Sequence, residues 1–282
     1  MKLVTFSVRE DTPRVGLLAG DEIVDLTAAG VARSMRELIE SGARALSRAR
    51  DVVDLASRLP LASVRLLAPV PDPSKVLCCG INYRAHAAEN PDATMPGEPF
   101  FFAKLASSVV GHEAPIPYPP RTAQLDYEVE FAAVIGTRLT RADEREVMPA
   151  LFGYTLLNDI SARDVQFKDN QITLGKNFDA FAPIGPCIVT ADALDRPDAV
   201  RLQTRLNGRV MQDGSTSDWL FSLPRLIASL SHVMTLHPGD IVTTGTPAGV
   251  GFFQRPQIFM CPGDVIEIEA EMIGTLRNTI IA

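Results

Sequence analysis

The chain has few of the residues on which familiar catalytic motifs depend. Its four histidines (His86, His112, His232, His237) and four cysteines (Cys78, Cys79, Cys187, Cys261) show no Cys–His spacing, which argues against zinc. Adjacent Cys78–Cys79 lies in an apolar run and reads as buried strand, not as a disulfide framework or C-x-x-C site. A reducing cytoplasm is the expected compartment. There is no G-x-S-x-G elbow, no Walker A loop, no H-E-x-x-H and no G-x-G-x-x-G after a strand. GTPAGVG at 245–251 has the glycines of a phosphate cradle but lacks the G-K-[ST] ending. No window approaches an uninterrupted transmembrane span, and MKLVTFSVRE lacks the long apolar core of a secretory signal. Basic tracts are missing, and a net charge of −7 argues against a nucleic-acid surface. Neither nucleic acid nor membrane is expected as a partner.

What is present is a β-rich pattern. The 282 residues can form one large domain or two smaller ones. KLVTFSV, RVGLLAG and EIVDLT alternate as strands, with a hairpin turn at Gly20-Asp21. Ser34 to Leu59 has helical periodicity, with Leu38, Ile39, Leu46, Val52, Val53 and Leu55 as its apolar positions. The proline-rich PVPDPSK at 69–75 marks a boundary. It divides a small N-terminal α/β domain, 1–70, from a larger domain, 73–282. In the latter KVLCCGINY is a buried strand, Tyr83 to Asn90 is a short helix stopped by Pro91, and PDATMPGEP at 91–99 is a loop. GKNFDAFAPIGPCIVT reads as a loop entering a strand. Asn207-Gly208 is a hairpin turn, and Leu223 to Met234 an amphipathic helix. Short strands with few, scattered helices predict an α+β class rather than alternating βαβ units.

The most informative stretch is LDYEVEFAAVIG, 125–136, read as one strand closed by a glycine. Val129, Phe131, Ala133 and Ile135 share one face; Asp126, Glu128, Glu130, Ala132 and Val134 share the other. Same-face neighbours sit roughly 6.5–7 Å apart. A solvated row of carboxylates is the plain reading. Buried, such a row needs protons or a cation, and oxygen ligands favour Mg²⁺, Mn²⁺ or Ca²⁺. Asp159, after the buried-looking YTLLN, is either a further ligand or an N-cap for a helix from Ser161. His86 and Glu89, three apart on a helix, form either a surface pair or a base with its orienting carboxylate. The loop that follows them, with its proline and glycine hinges, suits a lid. Lys176 and Lys104 each stand alone in apolar surroundings. They are snorkelling surface lysines or charges aimed at a cleft.

Seven segments in order resemble the fumarylacetoacetate hydrolase family: GINYRAHAAEN, PFFFAKLASS, LDYEVEFAAVIG, NDISARDVQ, LGKNFDAFAPIGP, LNG and GDIVTTGTPAGVG. They run through residues 75–282, while 1–70 resembles the small extra domain of bacterial members. The resemblance implies that family's mixed β-sandwich/roll in the catalytic domain. It implies Glu128, Glu130 and Asp159 as metal ligands for Mg²⁺ or Mn²⁺, leaving Asp126 structural. It further implies His86 and Glu89 as a water-activating dyad, Gln166 and Lys176 as oxyanion support, and Thr246 as a substrate-carboxylate contact. Lys104 matches an active-site lysine, and Arg84 is a substrate contact by charge. The expected substrate is a small anionic 2-oxo acid, and the expected reaction is hydrolysis of an acylpyruvate-like 1,3-diketo acid. Oxaloacetate decarboxylation or 2-hydroxyhepta-2,4-diene-1,7-dioate isomerisation on the same site is the alternative. A catalytically silent metal- or metabolite-binding protein is the reading from another class. Homodimers are expected from the resemblance.

Overall fold

Strands of 2–9 residues dominate the computed structural model, which describes residues 1–8, 12–90 and 95–282. The expectations for Pro91 and the first half of the 91–99 loop lie outside the described residues. A twelve-stranded mixed sheet has as its backbone the order 58–60, 22–25, 14–19, 2–7, 182–190, 151–158, 129–135, 241–243, 76–79, 101–104. Strands 65–66 and 109–110 pair off this path. A five-stranded sheet runs 209–215, 201–206, 265–270, 274–281, 115–117, and a two-stranded ladder joins 125–126 to 161–162.

The strand Val129–Ile135 is the axis of the large sheet and is buried along its whole length. Its alternation sorts the core. Val129, Phe131, Ala133 and Ile135 pack with Leu202, Ile268 and Leu276 of the five-stranded sheet and with Leu223 and Ile227 of the helix Leu223–Val233. Ala132 and Val134 face the opposite layer, with Met35, Leu38 and Ile39 of the helix Met35–Val52. Both helices start on a serine whose hydroxyl accepts from a first-turn amide, Ser34 from Glu37 N and Ser222 from Arg225 N.

The first helix is shorter than its periodicity predicts. It ends at Val52, and Leu55 is 85% exposed. The chain turns there so that Arg58–Pro60 can pair with Glu22–Val24, and sheet pairing wins over continued helix. The N-terminal strands continue the large sheet, because Lys2 and Leu3 pair with Val189 and Ile188. Asn207 and Gly208 both take positive φ, 52° and 79°, at the tip of their hairpin, as a type I′ turn requires.

Candidate active site

The acidic stretch is two strands, Leu125–Asp126 and Val129–Ile135, not one. Side chains take the amides at the break: Asn158 Oδ1 accepts from Glu128 N at 3.1 Å, and Gln212 Oε1 from Val129 N at 3.0 Å. The ladder is thus interrupted where Glu128 sits, and that frees its carboxylate from strict strand alternation. The row is not solvated. Asp126, Glu128 and Glu130 are 0%, 6% and 1% exposed, and Asp159 is 0%. Ser161–Ala162 pairs with Leu125–Asp126, so Asp159 caps no helix.

Glu128, Glu130 and Asp159 each bring one carboxylate oxygen within 4.8 Å of the others. Glu130 Oε2 has no hydrogen-bond partner. Burial, followed by the neighbouring Asp159 and Glu128 charges, pushes the Glu130 carboxyl well above its usual range. An orphaned buried oxygen converging with two other carboxylates is what an oxygen-ligated divalent cation requires, so the residues fit the metal that the sequence implies.

Three cations offset the remaining charge. Lys176 Nζ donates to Glu128 Oε2 at 2.8 Å and to Asp159 Oδ2 at 2.6 Å. Arg163 Nη2 lies 2.6 Å from Glu128 Oε1, and Arg163 Nε donates to Asp126 Oδ2 at 2.9 Å. Lys104 Nζ lies 2.6 Å from Asp159 Oδ1 and donates to the carbonyls of Ile160 and Phe181. Burial raises the Glu128 carboxyl, but Lys176 and Arg163 together hold it below its ordinary value. Burial lowers the ammonium pKa of Lys104, only partly opposed by Asp159. For Lys176 the balance is reversed, and Asp159 and Glu128 overcome burial to raise it.

Above this floor His86 Nδ1 lies 2.6 Å from Glu89 Oε2, on and just beyond the helix Arg84–Ala87. The other Glu89 oxygen accepts from Gly249 N at 2.8 Å. The pair is therefore tied to the glycine-rich loop and is no free surface contact. Gly249 has φ +108°, and a Cβ there would meet Met211 O at 2.2 Å, so this close approach needs glycine. A cavity of about 470 Å³ opens here, lined by His86, Glu128, Arg163, Gln166, Lys176 and Thr246, with phenylalanines on its other walls.

Residues 75–281 match the model of the fumarylacetoacetate (FAA) hydrolase C-terminal domain. A mitochondrial oxaloacetate tautomerase of Xenopus laevis is 39% identical over 289 aligned residues, covering 100% of this chain and 90% of that protein. The chain belongs to the fumarylacetoacetate hydrolase family. The structure of a fumarylacetoacetate hydrolase from Exiguobacterium antarcticum superposes with a TM-score of 0.89 at 38% identity, covering 100% of this chain and 99% of the other. Maleylpyruvate hydrolase from Sphingobium sp. SYK-6, in complex with manganese(II) and pyruvate, superposes at 0.84 with 31% identity, again over 100% and 99%. The family thus includes tautomerases and hydrolases, and its strand-rich mixed α/β fold is the fold of this chain. No helix among the described residues is long and apolar enough to cross a membrane.

Within this family frame, the expected site residues divide into those at the cavity and those set apart from it. His86, Gln166, Lys176, Thr246 and Glu128 line it. Glu130 and Asp159 converge with Glu128 behind its wall, and Glu89 orients His86. Lys104 is fully buried behind Asp159 and does not reach the cavity. Arg84 is also outside the lining, donating to the carbonyls of Trp219 at 2.6 Å and Asp218 at 3.3 Å. Thr246 is fixed by donating to Val129 O and accepting from Gln212. Asp126, left structural by the motif comparison, accepts from the amides of Gly251 and Phe252 and so ties the acidic stretch to the glycine-rich loop. Sequence reasoning missed Arg163, whose signal was present in SARDVQ, three residues before Gln166. It also missed the Ile172–Lys176 helix, of which only Gly175 and Lys176 were assigned, as the start of a loop.

Proposed function

We propose that the chain interconverts the enol and keto forms of a small 2-oxo acid of the oxaloacetate type, in a divalent-metal-dependent manner. The observation that carries this reading is the convergence of three buried carboxylates, one with an orphaned oxygen, beneath a cavity that His86 lines. Full-length likeness to an oxaloacetate tautomerase supports it. Glu128, Glu130 and Asp159 would hold Mg²⁺ or Mn²⁺, and the bound cation would supply Lewis-acid stabilisation of negative charge on the 2-oxo group.

The chain's own residues handle the proton. Glu89 accepts from His86 Nδ1, which leaves Nε2 as the base and stabilises the imidazolium once it forms. In the keto-to-enol direction His86 removes a proton from C3, and the C–H electron pair becomes the C2–C3 double bond. The carbonyl π pair moves onto oxygen, which takes a proton from solvent while His86 returns the C3 proton to solvent, and the reverse direction retraces these transfers. Lys176 and Gln166, which line the cavity, would meet the negative charge on that oxygen.

The test follows the ultraviolet enol band of oxaloacetate with Mg²⁺ or Mn²⁺ present. Enzyme should accelerate its approach to equilibrium above the buffer rate, and His86→Asn should lose about 10²–10⁴-fold. Equal rates for chelated and metal-loaded protein would sink the metal role. A thermal melt separates a real site from a purely structural cluster, because a bound ion raises the midpoint by mass action.

A second reading is hydrolysis of an acylpyruvate. The His86–Glu89 contact of 2.6 Å favours it, since the same base can activate water for attack on a carbonyl two carbons beyond the 2-oxo group. Release of pyruvate from an acylpyruvate panel tests it directly. The homodimer is likewise proposed, and sedimentation would read it.

A further inference from the structure

We propose that Lys104 and Arg163 set the ion preference of the carboxylate cluster, by occupying the outer oxygens of Asp159 and Glu128 so that each can give a cation one oxygen only. The inference rests on the metal-dependent reading above and adds which ions the cluster accepts and which residues decide it. Lys104 Nζ lies 2.6 Å from Asp159 Oδ1, and Arg163 Nη2 lies 2.6 Å from Glu128 Oε1, both as ion pairs. The inner oxygens, Asp159 Oδ2 and Glu128 Oε2, both accept from Lys176 Nζ, at 2.6 and 2.8 Å. One cation thus bridges the inner pair of oxygens, and two others cap the outer pair.

The three cations are not equally anchored. Lys104 Nζ also donates to the carbonyls of Ile160, Lys176 and Phe181. Arg163 Nε donates to Asp126 Oδ2 at 2.9 Å, and Asp126 is itself held by the amides of Gly251 and Phe252. Groups outside the three ligands therefore keep both caps in place. Lys176 differs: among the described residues its ammonium donates to the two ligand carboxylates themselves, and it lines the cavity. It is the cation that an entering ion displaces, and the caps outlast the exchange. Ca²⁺ gathers about six to eight oxygens and readily takes both from one carboxylate, whereas Mg²⁺ demands a near-octahedral shell and keeps several waters in it. Mn²⁺ shares the octahedral oxygen preference. Capping the outer oxygens removes the two-oxygen mode at Asp159 and Glu128, and Ca²⁺ loses most by that. The positive charge of the caps repels every divalent ion alike, so the number of oxygens on offer, not charge, separates the ions.

Competition binding to the metal-free protein tests this without reference to turnover. Mn²⁺ is the probe, followed by electron paramagnetic resonance, and Mg²⁺ and Ca²⁺ are the competitors. Mg²⁺ should displace Mn²⁺ at a concentration about tenfold or more below that required of Ca²⁺. Lys104→Met should move the Ca²⁺-to-Mg²⁺ affinity ratio about tenfold toward Ca²⁺. Arg163→Lys keeps the charge but loses the fork that spans Asp126 and Glu128, and should move the ratio the same way. It carries the test alone if circular dichroism shows that Lys104→Met does not fold. Lys176→Met should tighten all three ions together and leave the ratio in place. A wild-type preference for Ca²⁺, or a ratio that Arg163→Lys leaves unmoved, overturns the inference while the metal reading stands. A ratio moved as far by Lys176→Met as by the cap variants also overturns it. No Mn²⁺ binding at millimolar concentration overturns the metal reading, and the inference with it.

Discussion

Asp126 and Glu128 are two residues apart and do different work. Asp126 accepts from three backbone amides, those of Tyr127, Gly251 and Phe252, and pairs with Arg163. All of its hydrogen-bonding capacity goes into structure. Asp126→Ala should cost about 3–5 kcal/mol in denaturant unfolding, because it leaves those amides and part of a buried guanidinium unanswered. Arg50→Ala, which breaks an exposed pair with Asp192, should cost less than about 1 kcal/mol. Glu128 instead governs an acid limb. Its carboxyl is held below the ordinary value of 4.5 in the folded state by Lys176 and Arg163 against burial. The unfolded chain therefore binds the proton first as pH falls. The stabilisation is complete above pH 4.5 and is lost progressively below it. Glu128→Gln should flatten that part of the stability–pH curve, as thermal melts from pH 6 to about 3 would show.

Short elements hold the site more tightly than their lengths suggest. Arg163–Gln166 and Ile172–Lys176 are helices of four and five residues that meet at Gly175. A Cβ at Gly175 would lie 2.5 Å from Gln166 Cβ and 2.6 Å from its Cα. Gly175→Ala should force the two turns apart and move Lys176 and Gln166 together. The expected result is a fall in kcat of about tenfold or more while circular dichroism stays native, since displacements near 1 Å are that expensive. Neither turn was easy to foresee. Strands such as Val129–Ile135 announce themselves by alternation, and Asn207-Gly208 by turn chemistry. ITLGK is too short for helical periodicity, and its conformation comes from packing against Gln166. The strand break at Glu128 was hidden for a similar reason, because the side chains that take its amides, Asn158 and Gln212, are distant in sequence. Arg163 and the phenylalanine wall show the same limit. Their types are visible in the sequence, but their convergence on one cavity is a property of the assembled sheets.

At the scale of the whole molecule, the strands before residue 70 and those after residue 73 share a hydrogen-bonded sheet and a hydrophobic core. Leu3, Val15 and Leu17 pack in one cluster with Ala182, Ile184 and Ile188. Deleting residues 1–70 would strip the partner from the edge of Ala182–Thr190 and expose that cluster. We expect the full chain to unfold in a single calorimetric transition and the shortened chain to be recovered mainly as aggregate. Two separate transitions would show that the halves are independent. The cation cluster carries a further consequence for the order of events in a cell. Lys104, Lys176 and Arg163 oppose four buried carboxylates, Asp126, Glu128, Glu130 and Asp159, of which Glu130 favours its protonated form. The interior is thus electrically balanced by the polypeptide itself. On the metal-dependent reading proposed above, this balance lets the chain complete its fold before any ion binds at Glu128, Glu130 and Asp159, so removal of metal by a chelator should leave circular dichroism native.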